Sequence, residues 1–513
     1  MTNRSAYEYF TKNVRGRKEC LYYLGRTFSG EETVALIDAV ASFLLEKGVG
    51  KGDVVAINLP NTPECIFTIY AVNKLGAVAY VTHPLLPVEA LKKGVKESGA
   101  KMLVAMDTLS EDVGVPTILC DGAGYLPLSY RIVAKLRRSG PKAKGERFPY
   151  NRTHRIPFAP QGTGEDVALY LPSGGTTGEP KVIRVTNEAF NQNADATLTL
   201  AKMPLEGHGV LLALPFFHGF GLSSSLHGAV SGGAVGVILP FLDYKKAAEY
   251  VKSGRVEIIL AVPNMYKKLL AEKDFRDGIG NMLLAFSGGD TLPERVKKEY
   301  DDLAAAAGGT SRLYQGYGLA ETVSVCVANS PGEDKIGTIG KPVFADVKIL
   351  DEKGRELPQG EKGEIAVKTP CMMKGYLGQD DFSDDYLLTG DLGYFDEDGF
   401  LVFSGRKKRI IVIGGMNVYP LEIERTACEL DFVTAASAEE YHDGEKPRIC
   451  LFISDNSEFS EEKKREITLS YLSTRIIRYA LPTKVVFLDK LPLTPVGKID
   501  HLKLSKMLVD QSV

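Results

Sequence analysis

The 513-residue chain lacks the patterns of several large protein classes. Its seven cysteines (Cys20, Cys65, Cys120, Cys326, Cys371, Cys428 and Cys450) are scattered and form no CxxC pair. That excludes a zinc ribbon and a disulfide framework, and fits buried thiols in a reducing cytoplasm. Seven histidines, none in HxxxH spacing, give no case for a transition-metal site. The formal net charge is −3, leaving no basic surplus for nucleic acid. No apolar run is long enough to span a bilayer. Residues 1–7 continue into polar sequence without the apolar core of a secretory signal. A cytoplasmic protein with no stable membrane insertion is expected.

What is present is an ordinary globular composition, 44% hydrophobic and 25% charged. The length exceeds one ordinary core, so two or more domains are expected. Helical and strand patterns alternate through the first half. Residues 34–45 carry apolar positions at helical spacing, and 54–59 then read as a strand. Pro63 opens the next helix and Gly76 closes it before the strand 77–81. The pattern returns at 210–214, 235–239, 258–262 and 283–286. Short apolar runs separated by helices predict buried parallel strands in an α/β fold. After about Lys335 strands follow one another without helices, predicting a β-rich subdomain over 335–404. Residues 405–513 have mixed character and suffice for a small α+β domain. Arg131, Lys135, Arg137, Arg138, Lys142, Lys144 and Arg147 are opposed only by Glu146. This run reads as a solvated face, with peripheral contact to an anionic membrane as the alternative.

The densest chemical signal is Ser173-Gly174-Gly175-Thr176-Thr177-Gly178-Glu179-Pro180-Lys181. Glycines let successive N–H groups turn toward one anion, three hydroxyls add donors, and Lys181 adds a full positive charge. Apolar runs at 167–171 and 182–185 flank it, so the loop joins two strands. A Walker loop leads from strand to helix and has GxxxxGK[ST] spacing, which is absent here.

This loop resembles the signature of the adenylate-forming superfamily of acyl- and aryl-CoA synthetases, luciferases and peptide-synthetase adenylation domains. Further matches follow in family order. Tyr314-Gln315-Gly316-Tyr317-Gly318-Leu319-Ala320-Glu321-Thr322 resembles the segment where an aromatic residue flanks adenine and a glutamate binds magnesium. Carboxylate oxygen suits that hard cation. The resemblance makes Glu321 a metal ligand, with Thr177 also a candidate, and puts Thr322 near the phosphates. Many members have threonine where this chain has Ala320, and alanine there also occurs in relatives that load carrier proteins. Ser287-Gly288-Gly289-Asp290 resembles the adenine-side loop, at the strand end where α/β folds bind ligands. Thr389-Gly390-Asp391-Leu392-Gly393 resembles the segment whose aspartate accepts from both ribose hydroxyls. Gly405-Arg406-Lys407-Lys408 resembles the hinge, with Arg406 near the ribose and Lys408 the pivot. Leu493-Thr494-Pro495-Val496-Gly497-Lys498-Ile499-Asp500 resembles the C-terminal motif, whose lysine stabilises the charge that develops during adenylation.

The resemblance implies an acid- and ATP-binding region over 1–404 and a mobile lid over 405–513. It also implies ATP and coenzyme A as co-substrates and Mg2+ as cofactor. Lys498, Glu321, His218 and Lys181 are the candidate catalytic residues. His218, Phe220, Gly221, Pro263, Asn264, Met265, Gly316, Leu319 and Ala320 are candidates for the acyl pocket. Gly414, Gly415 and Met416 are candidates for the thiol path; some relatives have lysine where Val412 stands. Residues 216–222 hold no carboxylate to meet a substrate ammonium. An acid without an α-amino group is therefore expected. With the small Gly219, Gly221, Gly316 and Ala320 leaving room for an aliphatic chain, a fatty acid is the first expectation and an aryl or other hydrophobic acid the second. Two alternatives stay open: transfer to a carrier-protein phosphopantetheine, and a non-catalytic nucleotide- or acyl-binding homologue.

Overall fold

The computed structural model describes residues 3–109, 111–127, 144–173, 181–414, 416–444, 446–494 and 499–510. Two large sheets carry the first part of the chain. In the eight-stranded sheet, Val54–Asn58 lies between Val78–Val81 and Ala100–Met106, all parallel. All five residues of Val54–Asn58 are buried, as expected of a strand covered on both faces. The helix Pro63–Lys74 is buried along its whole length, and its ends follow from sequence. Thr62 caps it by accepting from the Cys65 N–H, Pro63 occupies the first turn, and Gly76 follows with φ +66°.

The nine-stranded sheet has a parallel centre of Gly209–Leu212, Ile258–Ala261, Leu284–Ser287 and Leu313–Gly318, with antiparallel strands at its edges. Both sheets share one hydrophobic core. Val167–Pro172 and Val182–Thr186 pair antiparallel, so the glycine-rich loop does join two strands of a hairpin.

Asp346–Leu350, Gly363–Lys368, Leu387–Phe395 and Leu401–Arg406 form an antiparallel four-stranded sheet without intervening helices. It is not self-contained. Gly375–Tyr376 leaves it and pairs with Val182–Thr186 at the edge of the eight-stranded sheet.

After a single turn at Lys407–Arg409 comes the hairpin Ile411–Ile413/Met416–Val418. A three-stranded sheet follows, Val433–Asp443, Lys446–Asp455 and Lys484–Leu488, with helices Pro420–Cys428, Glu461–Ser473 and His501–Asp510. One hydrophobic cluster ends at Leu401 with Phe403 packed against it, and another begins at Ile411. Among the described residues no helix is long and apolar enough to cross a membrane.

Candidate active site

A cavity of about 1840 Å³ opens where the parallel strands of the nine-stranded sheet end. This is where ligands bind in open α/β sheets. The four-stranded sheet and the C-terminal segment supply its other walls.

Asp391 is 2% exposed and lies across from Arg406 in an antiparallel pair. Its Oδ2 accepts from the Tyr317 hydroxyl at 2.8 Å, and its Oδ1 is 3.3 Å from Arg406 Nε. A guanidinium and a phenol thus compensate a carboxylate that would be costly to bury alone. Burial first, and then the Asp391 charge, hold the Tyr317 phenol well above its usual range.

A second polar group forms around Glu321 in the turn Ala320–Thr322. Its Oε1 accepts from the Tyr376 hydroxyl at 3.0 Å, and its carbonyl accepts from Met373 N–H at 2.8 Å. Lys181 Nζ stands 4.5 Å from the Tyr376 ring centroid. Burial and then the Glu321 carboxylate raise the Tyr376 phenol. At the base of the glycine-rich loop, Ser173 N–H donates to the Lys181 carbonyl at 2.7 Å. Gly174, Gly175, Thr176, Thr177 and Gly178 lie outside the described residues. Among the described residues no three metal-ligating side chains converge. A single carboxylate such as Glu321 still fits magnesium, which takes one or two protein oxygens and fills its octahedron with phosphate and water.

Of the residues the sequence assigns to the nucleotide, Gly288, Gly289, Asp290, Gln315, Gly316 and Tyr317 line the cavity, and Gly289 needs its freedom at φ +81°. Tyr314 does not. It is 6% exposed, with its ring centroid 5.4 Å from that of Phe286. Thr322 is also withdrawn: its hydroxyl accepts from Leu319 N–H at 3.1 Å and donates to the Ser324 carbonyl at 2.9 Å. It closes the turn that presents Glu321.

His218, Phe220, Pro263, Asn264, Gly316, Leu319 and Ala320 face the cavity. Gly221 and Met265 do not. A Cβ at Gly221 would lie 2.4 Å from the Pro215 carbonyl oxygen, so the glycine permits close backbone packing. Met265 is 5% exposed and belongs to the core. At Gly316 the nearest atom to an added Cβ is 3.6 Å away, so a methyl there would sit in ordinary contact without a clash.

Lys498 lies outside the described residues. Leu493 and Ile499 flank its segment, form an antiparallel bridge and line the cavity, as does His501. Gly414 and the exposed Met416 sit on the hairpin away from the cavity, and Gly415 is outside the described residues. Lys408 is exposed on the turn Lys407–Arg409, between the Lys407–Glu364 pair at 2.8 Å and the Arg409–Glu424 pair at 2.7 Å. Sequence reasoning missed Tyr376, whose strand finds its partner some 190 residues upstream, beyond the reach of any local pattern. It also missed the Ser224 and Ser324 hydroxyls, 2.9 Å apart in the cavity wall.

Fold and cavity together define an α/β protein with a ligand cavity at the ends of its parallel strands. Residues 10–377 match the AMP-binding enzyme family, and the chain belongs to that family. It is 27% identical to a long-chain-fatty-acid–CoA ligase of Bacillus subtilis (strain 168), over 94% of this chain and 90% of that one. It is 30% identical to a 2-succinylbenzoate–CoA ligase of Geobacillus sp. (strain WCH70), over 91% and 89%. The fold superposes on ATP-bound MatB from Rhodopseudomonas palustris with a TM-score of 0.84, at 23% identity and full coverage of both chains.

Proposed function

We propose that this chain joins a carboxylic acid to coenzyme A in two steps at one cavity. In the first, a carboxylate oxygen attacks the α-phosphorus of ATP and pyrophosphate leaves. In the second, the coenzyme A thiol attacks the carbonyl of the acyl-adenylate and AMP leaves. The observation that carries this reading is the opening of two polar groups, Asp391–Tyr317–Arg406 and Glu321–Tyr376, onto the same cavity, with Lys181 over the Tyr376 ring behind the second.

Asp391 and Arg406 take the ribose hydroxyls, and residues 287–290 with Gln315–Tyr317 surround the adenine. The 173–181 loop and Lys181 hold the phosphates. Glu321, with Thr177, holds Mg2+, which when bound neutralises phosphate charge. Lys498 supplies the fixed cation where negative charge builds up. His218 stands at the acyl entrance.

Phe220, Leu260, Phe286, Val323, Val325 and Ala328 give the cavity apolar walls, which supports a fatty or aryl acid. The named relatives are coenzyme A ligases, which supports free coenzyme A as acceptor. We place the boundary between the acid- and ATP-binding part and a mobile lid near 404/405, with Lys408 as pivot. The change of hydrophobic cluster between Leu401 and Ile411 supports that division. Rotation there would carry the Gly414–Met416 hairpin toward the cavity for the second step.

The test is a competition among straight-chain, branched and aromatic acids with ATP, magnesium and coenzyme A, read by mass spectrometry. AMP with one dominant acyl-CoA is the expected result. AMP without a thioester would redirect the acceptor to a carrier protein, and ADP formation would sink the reading.

A further inference from the structure

The strand Val433–Asp443 pairs with Lys446–Asp455 through a bulge at Thr434, where the register shifts between Val433 and Ala435. A bulge leaves its extra residue out of the ladder, so its backbone groups need other partners. Here the partner comes from the other side of the cavity. Arg295 Nη1 donates to the Val433 carbonyl at 2.7 Å, and its Nη2 donates to the Thr434 carbonyl at 2.8 Å. Lys267 Nζ reaches the Thr434 carbonyl at 3.3 Å. The planar guanidinium suits two neighbouring acceptors, whereas an ammonium supplies a point charge.

Both donors sit on elements that also wall the cavity. Arg295 lies in the first turn of Glu294–Ala306, five residues beyond Asp290. Lys267 lies on Pro263–Ala271, whose first turn carries Pro263 and Asn264. The acceptors belong to the C-terminal part, whose Leu493 and Ile499 face the same cavity. Ion pairs also cross between these parts: Arg406 with Asp391 and Lys407 with Glu364 lie at the turn itself, and the half-exposed Lys362 with Glu422 adds little.

We infer that Arg295, assisted by Lys267, is a latch that docks the bulge at Val433–Thr434 and so holds the C-terminal part in the arrangement that serves adenylation. This rests on the two-step reading proposed above. Arg295 acts as a positioning residue. Its guanidinium is spent on the two carbonyls at the bulge, and it must release before the hairpin at Gly414 can replace the 493–499 segment.

The test uses full-length wild type, Arg295→Ala and Arg295→Lys. Acid-dependent ATP–pyrophosphate exchange should fall about tenfold or more in Arg295→Ala, the equivalent of 1.4 kcal/mol in docking. Thioester formation from supplied acyl-adenylate should stay unchanged or rise. Arg295→Lys should recover part of the exchange, since a single ammonium replaces the two-pronged fork. Amide hydrogen exchange across residues 430–437 should quicken in Arg295→Ala while Ile258–Ala261 stays protected. Equal loss in both half-reactions, or unchanged protection at 430–437, overturns the latch. If the wild type exchanged no pyrophosphate with any acid, the ligase reading would fail, and hydrogen exchange would then decide the latch alone.

Discussion

At the scale of single residues, chemistry and position diverge in instructive ways. Thr322 and Tyr314 are the types a nucleotide site favours, yet one hydroxyl is consumed by its own turn and the other ring packs against Phe286. Tyr376, which no local pattern marked, touches Glu321 and underlies Lys181. Tyr376→Phe removes one hydrogen bond to Glu321 and keeps the ring. We expect a several-fold higher magnesium requirement with little change in melting temperature, read by titrating metal against ATP turnover. An unaltered requirement would separate Glu321 from the metal. Lys498→Ala should cut adenylation by about 10²–10³, the usual cost of losing a preorganised charge at the reacting centre. Thioester formation from supplied acyl-adenylate should survive, and parallel loss of both steps would refute the lysine's assigned role.

Among elements, the helix Pro63–Lys74 carries an unusual burden. Glu64 is fully buried in its first turn, and burial pushes its carboxyl up from 4.5 to about 7. Below the lower value the group is protonated whether folded or not, and the helix bears no penalty. As pH rises toward the upper value, the unfolded chain sheds the proton that the folded chain keeps, so stability falls. Above it the loss is complete, on the order of 3 kcal/mol. Glu64→Gln should therefore raise the melting temperature at pH 8 more than at pH 5. Equal shifts at both would show that the carboxyl is not the cause. Another element, the turn bearing Glu321, depends on Gly219: a Cβ there would lie 1.7 Å from the Val323 carbonyl oxygen. Gly219→Ala should displace that turn and lower ATP turnover at least tenfold, checked by initial rates beside a thermal melt.

The same scale explains what was legible beforehand. The parallel strands and the hairpin around the glycine-rich loop could be read because their apolar runs and turn residues are local signals. The π-helix Phe220–Val230 could not, since its glycines answer to close tertiary contacts such as Gly221 against the Pro215 carbonyl. The excursion of Gly375–Tyr376 into another sheet was equally hidden, because two residues carry no period.

For the whole molecule, the boundary proposed near 404/405, with separate hydrophobic clusters before Leu401 and after Ile411, predicts two units that melt with some independence. Calorimetry should resolve two transitions, and a non-hydrolysable acyl-adenylate analogue should raise and merge them by binding only the assembled cavity. A single transition unaffected by the analogue would argue for one indivisible unit. The Gly375–Tyr376 strand sets a different kind of limit. By lacing the four-stranded sheet to Val182–Thr186, it makes residues 335–404 inseparable from the hairpin that carries the glycine-rich loop. Recombination between relatives, in nature or by hand, therefore has no clean crossover near Lys335. On the boundary proposed above, the seam would lie at the turn Lys407–Arg409, whereas the floor of the cavity is inherited whole.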